Sequence, residues 1–491
     1  MRHRINDVDV VTVLRDRLET MGNEVMTAID GQAGMEALER EAPNLVLLDL
    51  ELPKVNGMDV LRRIRKNSPE ALRRIAPALF LLLLGSSAEA FASGLSFDHQ
   101  GAAAVGKANA FAGEANDPSA IFYNPAGITQ LDGTQVMVGS AVTYLDSVYR
   151  SSTTGESTQL QDQFPLLPHL YVTHKFKSWD KVSIGLGVYT PFGLMVDWPD
   201  NWQGRFNSTN VRLRVTIIQP TIAFKVAENL SVAAGLRIAD AAAEFERKLD
   251  IGIGESKLRV HDLTAHPIGW NVGMLYRVTD TTSVGLQFRS EIQAKFNGDA
   301  DITGPASLAF SNTKFHSSLK LPPELVLGVS TKIIPRWTLN ADVEWEGWRT
   351  VGSIPFGFEN TPTSPVPQQT LNQQGLRLWK NTYIYRVGAE YAATNRLALR
   401  GGYFYSQSPI PDNTFDTNVP EANLHAVTAG VGYKWKRTSL NVAYLIGFYE
   451  KRSTNASNLD ASMTGGTGGP PVFGSFSTTA HVLTVSVGFQ F

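Results

Sequence analysis

The sequence predicts a transmembrane antiparallel β-barrel of about fourteen strands over residues 134–491. Three observations predict it: the alternation of the last strand, the sorting of loop lengths, and the side on which the charges fall. The closing segment HVLTVSVGFQF alternates without a break. Leu483, Val485, Val487, Phe489 and Phe491 therefore share one face of a strand, and Thr484, Ser486, Gly488 and Gln490 share the other. A strand of a soluble sandwich alternates too, so the rest of the chain has to decide. From Thr134 onward, short connections (Lys177 to Asp180, Ala227 to Asn229, Thr279 to Thr282, Ile334 to Arg336, Ala393 to Asn395, Lys436 to Arg437) alternate with long polar ones. The long ones include Pro191 to Asn210, Gly352 to Leu378, Gln407 to Asn423 and Lys451 to Ala480. Membrane barrels sort their connections in this way, with short periplasmic turns and long outer loops. An even strand count then puts the carboxyl terminus on the periplasmic side.

The strand faces repeat the pattern. In WTLNADVEW, Trp337, Leu339, Val343 and Trp345 point out while Asn340, Asp342 and Glu344 point in; in LALRGGYFYS, Leu397, Leu399, Tyr403 and Tyr405 point out and Arg400 points in. A charge on the lipid face costs about 2–4 kcal/mol at the midplane. The same alternation places Arg237, Arg289, Glu291, Arg386 and Glu390 in the lumen, and it makes Tyr144, Tyr171, Trp337, Tyr383, Tyr433 and Trp435 interfacial girdles. Two strands depart from it. In VRLRVTIIQPTIAFKV the outward face is expected to run Val211, Leu213, Val215, Ile217 and then to switch to Ile222, Phe224, Val226, with a bulge at Pro220. In VSIGLGVYTPFG, Gly185 and Gly187 remove two lumen-facing side chains and Pro191 cannot donate, so this third strand is expected to pair poorly, bend and leave a gap.

Composition removes other classes. Across 491 residues only 18% are charged, the net charge is -2 and mean hydropathy is -0.11. Near-neutral hydropathy is what alternating lipid-facing and lumen-facing residues give, and no apolar run reaches the length of a spanning helix. The charge balance offers no argument for nucleic acid. Cysteine is absent, which excludes thiolate metal sites, thiol nucleophiles and disulfides. Neither HExxH nor GxSxG occurs and the histidines are scattered, so no catalytic residue, metal or cofactor is expected.

Ahead of the barrel, Arg73 and Arg74 precede the apolar run Ile75 to Leu84, and Ala88-Glu89-Ala90 and Ala90-Phe91-Ala92 satisfy the A-x-A rule. Residues 71–92 therefore read as a signal peptide cleaved after Ala92, with Ser93 as the mature start. Within residues 1–70, NLVLLDLELPKVNGMDVLRRIRK resembles the phosphoacceptor region of a response-regulator receiver domain. By that resemblance Asp49 matches the phosphorylated aspartate, and Pro53 and Gly57 the turn after it. The acidic metal-binding pair is reduced to Asp7 and Asp9 and the later strands are missing. A bare carboxylate cannot hold Mg²⁺ and steady a phosphoryl group, and half a sheet leaves unpaired edges. This truncated segment reads as a fusion or start-site artefact, with the functional protein beginning near residue 71.

Residues 93–133 carry no barrel pattern; they are rich in Gly and Ala and close on Asn124-Pro125-Ala126. With YTPFGL followed by WQGRF, LPPELVLG leading into DVEWEGW, and RGGYFYSQSPIPD with a later VPEAN, residues 93–491 resemble the FadL-type outer-membrane transporters of long-chain fatty acids and aromatic hydrocarbons. The resemblance implies that residues 93–133 form a hatch, and that hydrophobic ligand diffuses passively from the outer loops to a site in the barrel. It then leaves sideways through a kinked third strand, where Gly185 and Gly187 sit. By the same resemblance Asn124, Pro125 and Ala126 belong to the hatch and Phe111 is an apolar lining residue. Arg237, Arg289, Arg386 and Arg400 are candidates for a carboxylate head group, or for pairing with Glu291, Glu390, Asp342 and Glu344 in the wall. The aromatic terminus Phe491 resembles the signal read by the barrel-assembly machinery. The partners implied are a hydrophobic small molecule and the lipid of a bacterial outer membrane. Alternatives are aromatic hydrocarbon uptake, a general porin, which the plug segment opposes, and a receiver-containing signalling protein, which the missing acidic pair opposes.

Overall fold

The computed structural model describes residues 25–28, 30–40, 95–250, 254–305, 312–359, 375–415, 417–455 and 472–491. The chain divides into two units, Met1–Ser86 and Ser87–Phe491. The first contains helix α1, Gly31–Arg40, which begins where Asp30 Oδ1 accepts the Ala33 N–H at 2.9 Å, a capping bond of the usual kind. Asp49, the expected signal peptide and Ser93 lie outside the described residues.

The second unit is a closed antiparallel barrel of fourteen strands. The first five are β1 (Thr134–Ser151), β2 (Leu166–Lys175), β3 (Val182–Asp197), β4 (Asn210–Ala227) and β5 (Leu230–Asp250). Three strands follow in two pieces each: β6 (Glu255–Ala265 and Ile268–Arg277), β7 (Thr282–Arg289 and Ile292–Thr303) and β8 (Thr313–Leu321 and Glu324–Thr331). The remaining six are β9 (Trp337–Glu346), β10 (Thr382–Ala392), β11 (Leu397–Ser406), β12 (Leu424–Trp435), β13 (Thr438–Tyr449) and β14 (Gly474–Gln490). The ladder between β1 and β14, from Gln135–Gln490 to Ser151–Gly474, closes the sheet on itself, so neither terminal strand is left as an edge in lipid. Short turns gather at the end carrying Phe491, the periplasmic end in barrels of this kind; long loops gather at the other.

Leu95–Gly133 lies inside the barrel as short pieces: helix α2 (Ala102–Val105), helix α3 (Ala120–Tyr123) and a 3₁₀ turn, Pro125–Gln130. Pieces this short cannot hold a helix on propensity alone. They are held by the wall.

Four expectations are corrected. In β4, Val211, Leu213, Val215 and Ile217 face inward, and the strand keeps one phase through Pro220. Its apolar side changes because the medium on each side changes, and the register slip lies in β3, between Tyr189 and Phe192. Tyr171 belongs to no girdle: it is buried inside the barrel, stacked on Tyr189 at 6.0 Å. Glu291 follows the break in β7 that shifts the inward phase from Arg289 to Ile292, so it faces out and pairs with Lys320 at 3.4 Å. Finally, β3 is fully paired at Gly185 and Gly187, with Thr173 and Tyr171 on β2 and Thr221 and Gln219 on β4.

Candidate functional site

In the turn half of the barrel the lumen is polar, and its side chains hold the amino-terminal segment. Asp342 Oδ2 accepts the N–H groups of Phe111 and Ala112, each at 2.9 Å. Arg289 and Gln287 donate to the Phe122 carbonyl at 3.2 and 2.6 Å, and the guanidinium of Arg289 lies 4.2 Å from the centre of the Phe122 ring. Gln219 reaches the Ile121 carbonyl at 2.9 Å. On the opposite wall Thr428 Oγ1 and Ser486 Oγ accept from Ala108 and Ala102, each at 3.0 Å. Inward charges pair among themselves: Arg289 with Glu324, and Arg386 with Asp98 and with Glu344 at 2.6 Å. Within the segment, burial alone would push the Glu114 carboxyl up, but the Lys107 ammonium and Asn340 beside it outweigh that and leave it below the ordinary value. Burial holds His99 down to about 4.

Asn124 ties the segment together. Its side-chain amide donates to the carbonyls of Ala112 and Met274, each at 2.9 Å, while its Oδ1 accepts from Ala126. Pro125 opens the 3₁₀ turn, and Ala126 is fully buried. Close approach here requires bare wall. A Cβ on Gly185 would lie 2.7 Å from Ile121 Cδ1, and one on Gly187 would lie 2.9 Å from Ile121 Cγ2. These glycines receive α3 rather than interrupt the ladder.

The interruption lies just beyond them. The β2–β3 ladder stops at Leu170–Val188, and past the slip the free edge of β3 is taken by the amino-terminal segment. Phe97 N–H donates to Pro191 O at 2.6 Å, Gly193 N–H to Leu95 O at 2.9 Å, and the Gln100 amide to Thr190 O at 2.7 Å. A piece of the amino-terminal segment thus stands in for a missing stretch of wall.

In the loop half the lumen turns apolar. A cavity open toward solvent is lined mainly by apolar side chains, among them Leu213, Phe245, Leu263, Phe296, Phe315 and Trp379, with Arg212, Glu244, Ser317, Arg377 and Asn418 also on its wall. Arg247 follows Phe245 on the same inward face, about 7 Å further toward the loop end at the rise of a strand. It is only 4% exposed, its Nε has no hydrogen-bond partner, and it makes no ion pair among the described residues.

The arginines expected in the lumen are there, with other work. Arg237 donates to Ser290 O at 3.2 Å, Arg289 and Arg386 sit in the ion-pair network, and Arg400 is held by Glu390 at 2.7 Å and Asn441 at 2.8 Å. Phe111 is buried in the segment under Lys107, edge-on to Tyr123 at 5.4 Å, and does not line the cavity. Arg247 escaped the sequence reading. The signal was present as an arginine set among Ala241, Ala243, Phe245 and Leu249, all of one parity with the inward Arg237.

Known proteins place these observations. The family described as outer membrane protein transport protein (OMPP1/FadL/TodX) matches residues 83–491, and residues 6–76 match the response regulator receiver domain. An outer membrane protein of Neisseria meningitidis serogroup B is 26% identical over 74% of this chain and 87% of its own. The long-chain fatty acid transport protein of Escherichia coli O6:H1 is 22% identical over 71% and 84%. Among solved structures, a Pseudomonas aeruginosa FadL homologue superposes with a TM-score of 0.69 at 20% identity, covering 81% of this chain and all of that one. The Pseudomonas putida toluene transporter TodX does so with 0.60 at 16%, covering 82% and 100%. The fold is shared, and its place is the bacterial outer membrane.

Proposed function

The chain belongs to the OMPP1/FadL/TodX family of outer membrane transport proteins, and from that premise we propose that it carries long-chain fatty acids across the outer membrane by passive diffusion. The observation that carries this reading is Arg247, buried and without an ion pair among the described residues, two positions beyond the cavity-lining Phe245 on the same inward face toward the loop end. A buried unpaired charge is costly, and a ligand carboxylate removes that cost by supplying charge-assisted hydrogen bonds. The acyl chain then lies along Phe245, Leu263 and Phe315. Each buried CH₂ gains about 0.8 kcal/mol, so release into water is unfavourable and a sideways exit suits the cargo. The exit in this reading is the β2–β3 seam, opened when Leu95–Phe97 leaves the edge of β3. Residues 71–92 as a cleaved signal peptide and 93–133 as the hatch belong to the same proposal. Catalysis is no part of it.

Aromatic hydrocarbon uptake is the second reading, supported by the rings of Phe245, Phe296, Phe315, Phe356 and Trp379 on the cavity wall. Binding of labelled oleate and of toluene by the purified Arg247→Met barrel separates the two. For a fatty acid transporter, oleate affinity falls by about 10- to 100-fold, equivalent to about 1.4–2.8 kcal/mol, while toluene binding is unchanged. Undiminished oleate affinity contradicts the fatty acid reading.

A further inference from the structure

The wall parts at a second place. Between β6 and β7 the ladder ends at Asn271–Arg289 and resumes at Thr264–Asn297. The neighbouring ladders run through this level in register: β5–β6 from Ala241–Ala265 to Ile238–Ile268, and β7–β8 from Ile292–Leu321 to Arg289–Glu324. The two lips are therefore each anchored on their outer sides and unpaired toward one another. The turn-side corner is tied: Ser290 N–H donates to Trp270 O and Trp270 N–H to Ser290 Oγ, each at 2.9 Å, and Arg237 donates to Ser290 O. Pro267, on one lip, has no N–H to give. Unpaired backbone facing lipid costs several kcal/mol per group.

One apolar side chain lies across this seam, beside Ser290. A Cβ on Gly269 would lie 2.6 Å from Ile292 Cγ1, so Ile292 reaches across the bare residue of the opposite lip and is itself fully buried. On the outer face, one lip carries Ile268, 67% exposed, and Trp270, 48% exposed, next to His266, and the other carries the exposed Gln293 and Lys295. On the inner side, Leu263 and Phe296, which flank the Thr264–Asn297 end of the seam, line the cavity. The cavity also reaches Leu95 and Leu194 at the β2–β3 seam, so a single apolar space touches both breaks.

We propose that the β6–β7 seam is a second lateral portal, through which acyl chains dissolved in the outer leaflet exchange with the cavity when Ile292 swings off Gly269. The inference rests on the cavity being the ligand site. At the β2–β3 exit a backbone segment has to move, whereas at this seam the motion is a rotation of the Ile292 side chain.

The chain has no cysteine, which allows a clean test. The His266→Cys/Gln293→Cys barrel is placed in vesicles that already hold labelled oleate, and loading is timed before and after bridging with a short bifunctional maleimide. Bridging is expected to slow loading at least fivefold and leave equilibrium affinity unchanged, and Ile292→Ala, unbridged, is expected to load faster than the parent. Equal loading rates before and after bridging, with affinity intact, overturn the portal alone. Absence of oleate binding in the unbridged parent overturns the cavity reading and the portal with it.

Discussion

The row of paired residues Val188, Ile218, Ile238 and Ile268 divides the barrel into halves built to opposite rules. On the turn side, Arg289, Asp342, Glu344 and Arg386 face inward while Leu325, Leu327 and Val343 face out. On the loop side, Val215, Leu213, Phe245 and Phe315 face inward, and the outer face carries ion pairs such as Arg214–Asp240 at 3.4 Å and Lys257–Glu246 at 2.5 Å. Apolar side chains follow the dry medium in both halves. In one half that medium is lipid; in the other it is the interior. Where the membrane rule inverts is where a hydrophobic ligand can be held.

The largest expected effect comes from breaking the polar half from within. Replacing Arg386 with Met strands Glu344 and Asp98 without their cation, at about 3–5 kcal/mol for a broken buried pair. Folded barrels carrying Arg386→Met should be cleaved by protease within residues 95–133 while the parent resists. Equal resistance would mean that the network does not anchor the segment.

The inversion itself is sharpened by moving charge across the dividing row. Leu327→Arg, on the outer face of the turn half, should cost about 2–4 kcal/mol, whereas Arg214→Leu on the outer face of the loop half should change stability by less than about 1 kcal/mol. Urea midpoints in vesicles give both values, and similar costs would show that one rule governs the whole wall.

A smaller effect depends on pH. Burial holds His99 at about 4 against about 6.5 in the unfolded chain, so the native state binds fewer protons as the medium acidifies. Its contribution is complete above pH about 6.5 and is lost as pH falls toward 4, by about 2–3 kcal/mol. Hydrogen exchange in residues 95–133 should accelerate over that window and lose this dependence in His99→Gln; an unchanged profile in the variant would assign the effect elsewhere.

How much of this was legible differs between the halves. The turn half follows alternation against lipid, so strand faces, turns and the inward positions of Asp342, Glu344 and Arg386 can be read from residue parity. The loop half uses the same parity with the media exchanged, and parity alone cannot tell which side is dry. That is why Val211 to Ile217 in β4 read as outward with a bulge at Pro220, and why Arg247 passed unnoticed among its apolar neighbours. Glycine carried a second ambiguity. Gly185 and Gly187 mark something unusual about β3, but a missing side chain signals close approach as readily as weak pairing, and only the position of Ile121 distinguishes them. Segment Leu95–Gly133 has no periodicity to read because the wall, not its own propensity, holds it.

The central claim is that the loop half of the lumen, and not the charged turn half, holds the ligand. The most direct measurement is the crystal structure of the barrel bound to a long-chain fatty acid brominated near its methyl end. Anomalous bromine signal between Phe245 and Phe315, with the carboxylate on Arg247, is the result predicted. A carboxylate bound in the turn half beside Arg289 or Arg386, with bromine outside the cavity, would contradict it.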